Sequence, residues 1–174
     1  MFGFSGSGMA AQGQRGITLI ELAAVLAILG VLAAAAVPRF LDLSASAHRV
    51  SVASSAEGFG AAIRIANLKC VIAGWAGRDN LPGYAGGTVD FSATCFPTDT
   101  SGNANTIGGN ATRCMRVWNG ILAVAPSITT AVSNADYRAT ASGQVCTYRY
   151  QRDSATTRRF TYDSVTGLIV ATNP

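Results

Sequence analysis

Charge is scarce in this chain. Charged residues make up 13% of its 174 positions, about half of the ~25% usual for a soluble domain. There is one lysine (Lys69) and one histidine (His48), and glutamate occurs only as Glu21 and Glu57. The shortage excludes histidine-rich metal centres and closely spaced glutamate pairs for acid–base work. HExxH, GxSxG and phosphate-loop patterns are missing too. No catalytic constellation and no cofactor is therefore expected. The longest basic run is Arg158-Arg159 and the net charge is +4, a mildly basic surface rather than a nucleic-acid tract. None of the four cysteines, Cys70, Cys95, Cys114 and Cys146, lies in a CxxC pair. Structural zinc wants close ligand pairs, so it is not expected.

Against this background stands one long apolar run, GITLIELAAVLAILGVLAAAAV from Gly16 to Val37, whose only charge is Glu21. A helix over Ile17–Val37 rises about 30 Å, the thickness of a bilayer's hydrocarbon core. A carboxylate inside such a span costs free energy unless it finds a partner, so it is a functional hypothesis by default. Three readings of the segment compete. A cleavable secretory signal would be cut near Ala33–Ala36, but the pattern runs on into PRFLDLSASAHRV without a break. A plain signal anchor explains the length and leaves the acid unexplained. In the third, the polar leader ending Arg15-Gly16 is removed and the apolar helix stays on the mature protein.

The string RGITLIEL resembles the class III signal of type IV pilins and type II secretion pseudopilins, whose common form is Gly-Phe-Thr-Leu-Ile-Glu-Leu. The following PRFLDL is closest in flavour to mannose-sensitive haemagglutinin pilins. The resemblance is firm from Arg15 to about Val50 and weak beyond. It implies that a membrane-embedded aspartyl prepilin peptidase cuts between Gly16 and Ile17 and N-methylates Ile17. Ile17 departs from the family's usual Phe. A start at Met1 gives a 16-residue leader and a start at Met9 an eight-residue one. The resemblance also implies that Glu21, with Thr18 beside it, takes part in assembly. Glu21 of an incoming subunit would pair with a neighbour's new N-terminal amine. Gly30 and Pro38 match the positions between which pilin helices lose helical structure on polymerisation; a simple kink at the membrane exit is the other reading of Pro38.

Beyond the span, Val52, Ala56, Phe59, Ile63, Ala66 and Cys70 recur at spacings of three and four, one face of a helix packed on something. The helix is expected to reach about Ile72, with Gly58 and Gly60 weakening it. From Ala73 to Thr112 glycine and asparagine mark loops, with a short strand at Thr88–Phe91. Ala111–Ala125 reads as a second helix stopped by Pro126, with Met115, Trp118, Ile121, Leu122 and Ala125 on one face. Val145–Gln151, Arg159–Tyr162 and Leu168–Ala171 read as strands, with Asp163–Gly167 as a turn. Tyr148, Tyr150, Phe160 and Tyr162 are expected to pack the sheet and Trp118 the core. His48 is expected to be exposed. Four cysteines allow three connectivities, and Cys70–Cys95 with Cys114–Cys146 is preferred because each closes a local loop. The aspartates Asp79, Asp90, Asp99, Asp153 and Asp163 match no calcium loop. Asn110-Ala111-Thr112 fits a glycosylation sequon of the kind chance supplies in a polar loop.

The expected architecture is α+β, the pilin fold: a long N-terminal helix on a small antiparallel sheet. The expected organisation is a removed leader (1–16), a membrane and filament-core helix (17–37), an amphipathic helix (38–72) and a globular head (73–174). The implied function is a structural subunit of a type IV pilus-like filament for adhesion, motility or attachment. It would be made at the bacterial inner membrane and displayed outside the cell. Its partners would be copies of itself, prepilin peptidase, an assembly platform and minor pilins. The rivals are a pseudopilin of a periplasmic pseudopilus and a non-polymerising membrane-anchored adhesin or DNA-binding protein. The last would use Arg149, Arg152, Arg158 and Arg159.

Overall fold

Thr18 opens helix α1, which runs Leu19–Ala73 in the computed structural model; the structure describes residues 17–154 and 157–173. The chain divides into two compact units, residues 1–42 and 43–174. In the first, the helix carries apolar side chains on every face, and from Leu19 to Val37 none of them is buried. In the second, the stripe anticipated from spacing is the buried one: Val52, Ala56, Phe59, Ile63, Ala66 and Cys70 are all 6% exposed or less. Helical assignment continues through Gly30, Pro38, Gly58 and Gly60.

α1 stops at Gly74, whose φ of +61° suits the residue without a Cβ. The Gly74 N–H donates to the Val71 carbonyl and the Trp75 N–H to that of Cys70, at 3.1 and 2.9 Å. This pair of bonds satisfies two carbonyls the last turn would leave open. The Cys70–Cys95 disulfide then pins the following loop to the helix end. That loop holds β1 (Asp90–Phe91) and β2 (Pro97–Asp99), an antiparallel pair. Asp90 is buried and accepts backbone N–H groups from Asn80 and Ala104 at 2.8 and 3.0 Å. Burial pushes its carboxyl up from the usual range, and the two N–H bonds oppose that shift. Leu81, Val89 and Phe91 pack with Ala66 and the disulfide into a small core of their own.

Helix α2 spans Ala111–Ile121, and Asn110 Oδ1 caps it by accepting the Thr112 N–H at 2.9 Å. The sequon asparagine is thus the helix cap. The helix ends four residues short of the expected Ala125. A helical Leu122 carbonyl would meet the Pro126 ring, which also lacks the N–H to bond it, and Leu122 is extended instead. The buried face is Cys114, Val117 and Trp118, with Met115 and Ile121 at its margins.

The main sheet has five strands in the order β3 (Ile128–Thr129), β4 (Tyr137–Ser142), β5 (Val145–Tyr150), β6 (Arg159–Asp163) and β7 (Ile169–Thr172). β5 to β7 form the expected antiparallel meander, which β4 extends by one unanticipated antiparallel strand; β3, also unanticipated, is parallel to β4. β4 escapes a propensity reading because two of the three inward positions of YRATAS are alanine, a poor strand former. Its pairing with β5 and the inward Tyr137 hold it in place.

Phe59 of α1 sits at the centre of the main core. Its ring centroid lies 5.1 Å from Tyr148, 5.4 Å from Trp118, 5.5 Å from Tyr162 and 6.0 Å from Phe160. Tyr148 Oη donates to the Cys114 carbonyl at 3.0 Å and Tyr162 Oη to that of Pro97 at 2.8 Å. Tyr137 Oη is buried and completes no hydrogen bond among the described residues; burial pushes its phenol up to about 12, and the nearby Ser55 hydroxyl offsets part of that rise. The second disulfide, Cys114–Cys146, joins α2 to β5 beneath these rings. His48 is half-buried rather than exposed, because Nδ1 shares a hydrogen bond with Tyr150 Oη at 3.2 Å.

Candidate assembly site

The first turn of α1 is built from TLIE. Thr18 lies outside the helix, and its Oγ1 accepts the backbone N–H of Glu21 at 3.3 Å. Its carbonyl accepts the first helical bond, from the Leu22 N–H at 3.1 Å. Threonine followed three residues later by glutamate is the pattern of a helix N-cap, in which the hydroxyl satisfies a donor with no helical partner. The sequence contains that signal, but the apolar run and its lone acid draw attention away from it. The cap has a consequence for Glu21. An acid in the first turn faces the positive end of the helix dipole, a placement at which acidic residues are favoured.

Glu21 is exposed, and no ion pair involves it among the described residues. Around it Ile17 is 75%, Leu19 86% and Ile20 80% exposed. From Leu22 to Val37 the large apolar side chains are 48–74% exposed. Apolar side chains on all sides of a helix need a lipid or protein environment that the chain itself does not provide. By length and composition the helix can cross a membrane. A Cβ built at Gly30 meets nothing within 4 Å, so no contact among the described residues requires glycine there. Gly16 and the leader lie outside the described residues. The structure thus brings Ile17, Thr18 and Glu21 together at one helix end. Gly30 and Pro38 are positions farther along the same helix.

The four basic residues of the DNA-binding rival do not form one patch. Arg158 is 5% exposed, and its Nε donates to Asp153 at 2.8 Å. Arg152 donates to Asp136 at 2.8 Å. Only Arg149 and Arg159 stand exposed and unpaired among the described residues. Among those residues no group of three or more His, Cys, Asp or Glu side chains is arranged to hold a metal ion.

Comparison with known proteins bears on the same end of the chain. Residues 12–37 match the prokaryotic N-terminal methylation motif. The chain is 46% identical over 55 residues to the type IV narrow pilus major component PilA5 of Thermus thermophilus. That stretch is 32% of this chain and 47% of the relative, so the similarity spans about half of the relative's length. No solved structure matches the chain.

Proposed function

We propose, for a chain whose N-terminal segment is that of the type IV pilin family, that it is a structural subunit of a pilus-like filament. The observation that carries this reading is the first turn of α1: a capped helix start with one acid, leading into an apolar stretch that is wholly unburied. Prepilin peptidase removes residues 1–16 and methylates Ile17. Residues 17–37 lie in the membrane before assembly and in the filament core afterwards. Residues 38–72 form the amphipathic half and 73–174 the displayed head.

Cleavage alters the electrostatics of the first turn. In the precursor, the bond before Ile17 is an uncharged amide and Glu21 is the sole charge. In the mature subunit a cationic amine appears four residues from Glu21. Two opposite charges attract more strongly in a low-dielectric core than in water, and either one left alone there is costly. Glu21 of an incoming subunit therefore selects the register in which a neighbour's amine neutralises it. Aliphatic side chains then exchange lipid for protein contacts. Filament growth requires an assembly platform and minor pilins, and the precursor resides in the inner membrane. A pseudopilin of a periplasmic pseudopilus shares every one of these features and is the second reading.

The test is Glu21→Val in the native host. The variant is expected to be processed and membrane-inserted at wild-type level while surface filaments are lost. Normal filaments from it would overturn the charge-pair mechanism. Unprocessed wild-type protein would overturn the pilin reading itself.

A further inference from the structure

The face of the main sheet turned away from the core carries a row of arginines. Period-two alternation sends Tyr137, Tyr148, Tyr150, Phe160 and Tyr162 inward. The positions between them form the other face. In register, Arg138 on β4 stands opposite Arg149 on β5, and Arg149 opposite Arg159 on β6. Strand spacing places the three within about 10 Å. The next row on this face is Thr140, Thr147 and Thr161.

Like charges directly opposite across strands are destabilising, and here they are not offset from within. Among the described residues, ion pairs join Asp99, Asp136 and Asp153 to Arg113, Arg116, Arg152 and Arg158, and none reaches this row. Arg138 is held by a bond from Nε to the Thr130 carbonyl at 3.4 Å. A cleft of about 180 Å³ opens beside Arg138 and Arg149. Its one acid, Asp153, is already engaged by Arg158 at 2.8 Å.

We propose that this face binds a carboxylated polysaccharide, a chain of uronate sugars laid across the strands. Three guanidinium groups in a row complement a linear polyanion, and arginine grips carboxylates through two parallel hydrogen bonds. The threonine hydroxyls beside them donate to and accept from sugar hydroxyls. Nucleic acid fits less well. Single strands are held by aromatic rings on which bases stack; here Tyr137, Tyr148, Phe160 and Tyr162 are turned inward, and Tyr150, at the edge of the cleft, is 8% exposed. Duplex DNA draws its affinity from many phosphate contacts, and this row offers three cations. The surface belongs to the single subunit, so the inference goes beyond filament formation and does not depend on it.

The test uses the full-length chain in detergent micelles against immobilised polygalacturonate, with dextran and duplex DNA at the same ionic strength. Wild type is expected to bind polygalacturonate, more weakly as salt rises, and to leave dextran unbound. Arg149→Ser with Arg159→Ser should weaken binding about tenfold or more, from the loss of two charge-assisted contacts. Arg64→Ser with Lys69→Ser removes the same charge from exposed helix positions and should change affinity less than about twofold, as uninvolved exposed charges do. Arg149→Lys with Arg159→Lys keeps the charge but loses the fork, and should fall between wild type and the serine variant. Equal losses in the serine and helix variants, or no binding by wild type, would overturn the proposal. So would binding of dextran, or row-dependent binding of DNA tighter than that of polygalacturonate. Because binding is read on monomers, a subunit that binds but never polymerises would contradict only the filament reading.

Discussion

Thr18 Oγ1 accepts the backbone N–H of Glu21 at 3.3 Å, so the acid in the apolar helix also belongs to its N-cap. Cap and charge are separable. The cap is made to the Glu21 backbone, whereas assembly is assigned to its side chain.

Thr18→Ala removes the cap and keeps the charge; Glu21→Gln does the reverse. Losing a threonine cap costs about 1 kcal/mol, so amide exchange at Glu21 in micelles should quicken about fivefold in Thr18→Ala. Filaments should still form. In Glu21→Gln exchange should stay near wild type and filaments should fail. If Thr18→Ala abolished filaments as completely as Glu21→Gln, the carboxylate would not be the selective group.

Phe59 joins the helix to four aromatic rings of the head. Phe59→Ala should cost about 3–5 kcal/mol, through lost burial and the cavity left behind. Urea unfolding followed by tryptophan fluorescence, with Trp75 replaced by Phe so that Trp118 reports alone, measures it. A loss under about 1 kcal/mol would mean that the helix is not held by this cluster.

The buried tyrosines separate by their hydroxyl partners. Tyr148→Phe and Tyr162→Phe leave the Cys114 and Pro97 carbonyls without their donors, at about 1–3 kcal/mol each. Tyr137→Phe removes a hydroxyl that Ser55 approaches without completing a hydrogen bond. It should cost less stability than either of the other two. Melting curves of the three variants rank them.

Below neutral pH, Asp136 should act as a stability sensor. Hydrogen bonds from Ser127, then that from Arg152, hold its carboxyl below the usual range. A depressed folded value means stability that is fully present above the unfolded value of about 4 and lost as pH falls through the folded one. The difference in melting temperature between wild type and Asp136→Asn should therefore shrink as pH drops below about 4. Asp90 works in the opposite sense, since burial raises its carboxyl; comparison with Asp136→Asn cancels its contribution. A difference that stayed constant down to pH 2 would contradict the pairing.

Legibility followed periodicity. The stripe from Val52 to Cys70 was readable because one helix face meets one core, and every member is buried. β6 was readable because aromatic and polar residues alternate throughout it, and β5 because they alternate from Thr147 to Tyr150. β4 was not, because its inward positions include alanines that carry little signal without their β5 partners. β2 is three residues of loop sequence, ordered by the Thr98 hydroxyl donating to the Ala104 carbonyl at 2.6 Å. Charge pairing was the least legible. Arg158 and Arg159 are neighbours in sequence, yet alternation buries one against Asp153 and exposes the other. Glu21 stood out as the lone charge of an apolar run, but the cap from Thr18 emerged only with the geometry of the first turn.

The measurement closest to the central claim is mass spectrometry of this chain in filaments sheared from cells. The account predicts a mature polypeptide beginning at N-methylated Ile17, with residues 1–16 removed. A chain in those filaments that still began at Met1 or Met9, or the absence of this chain from them, would contradict it.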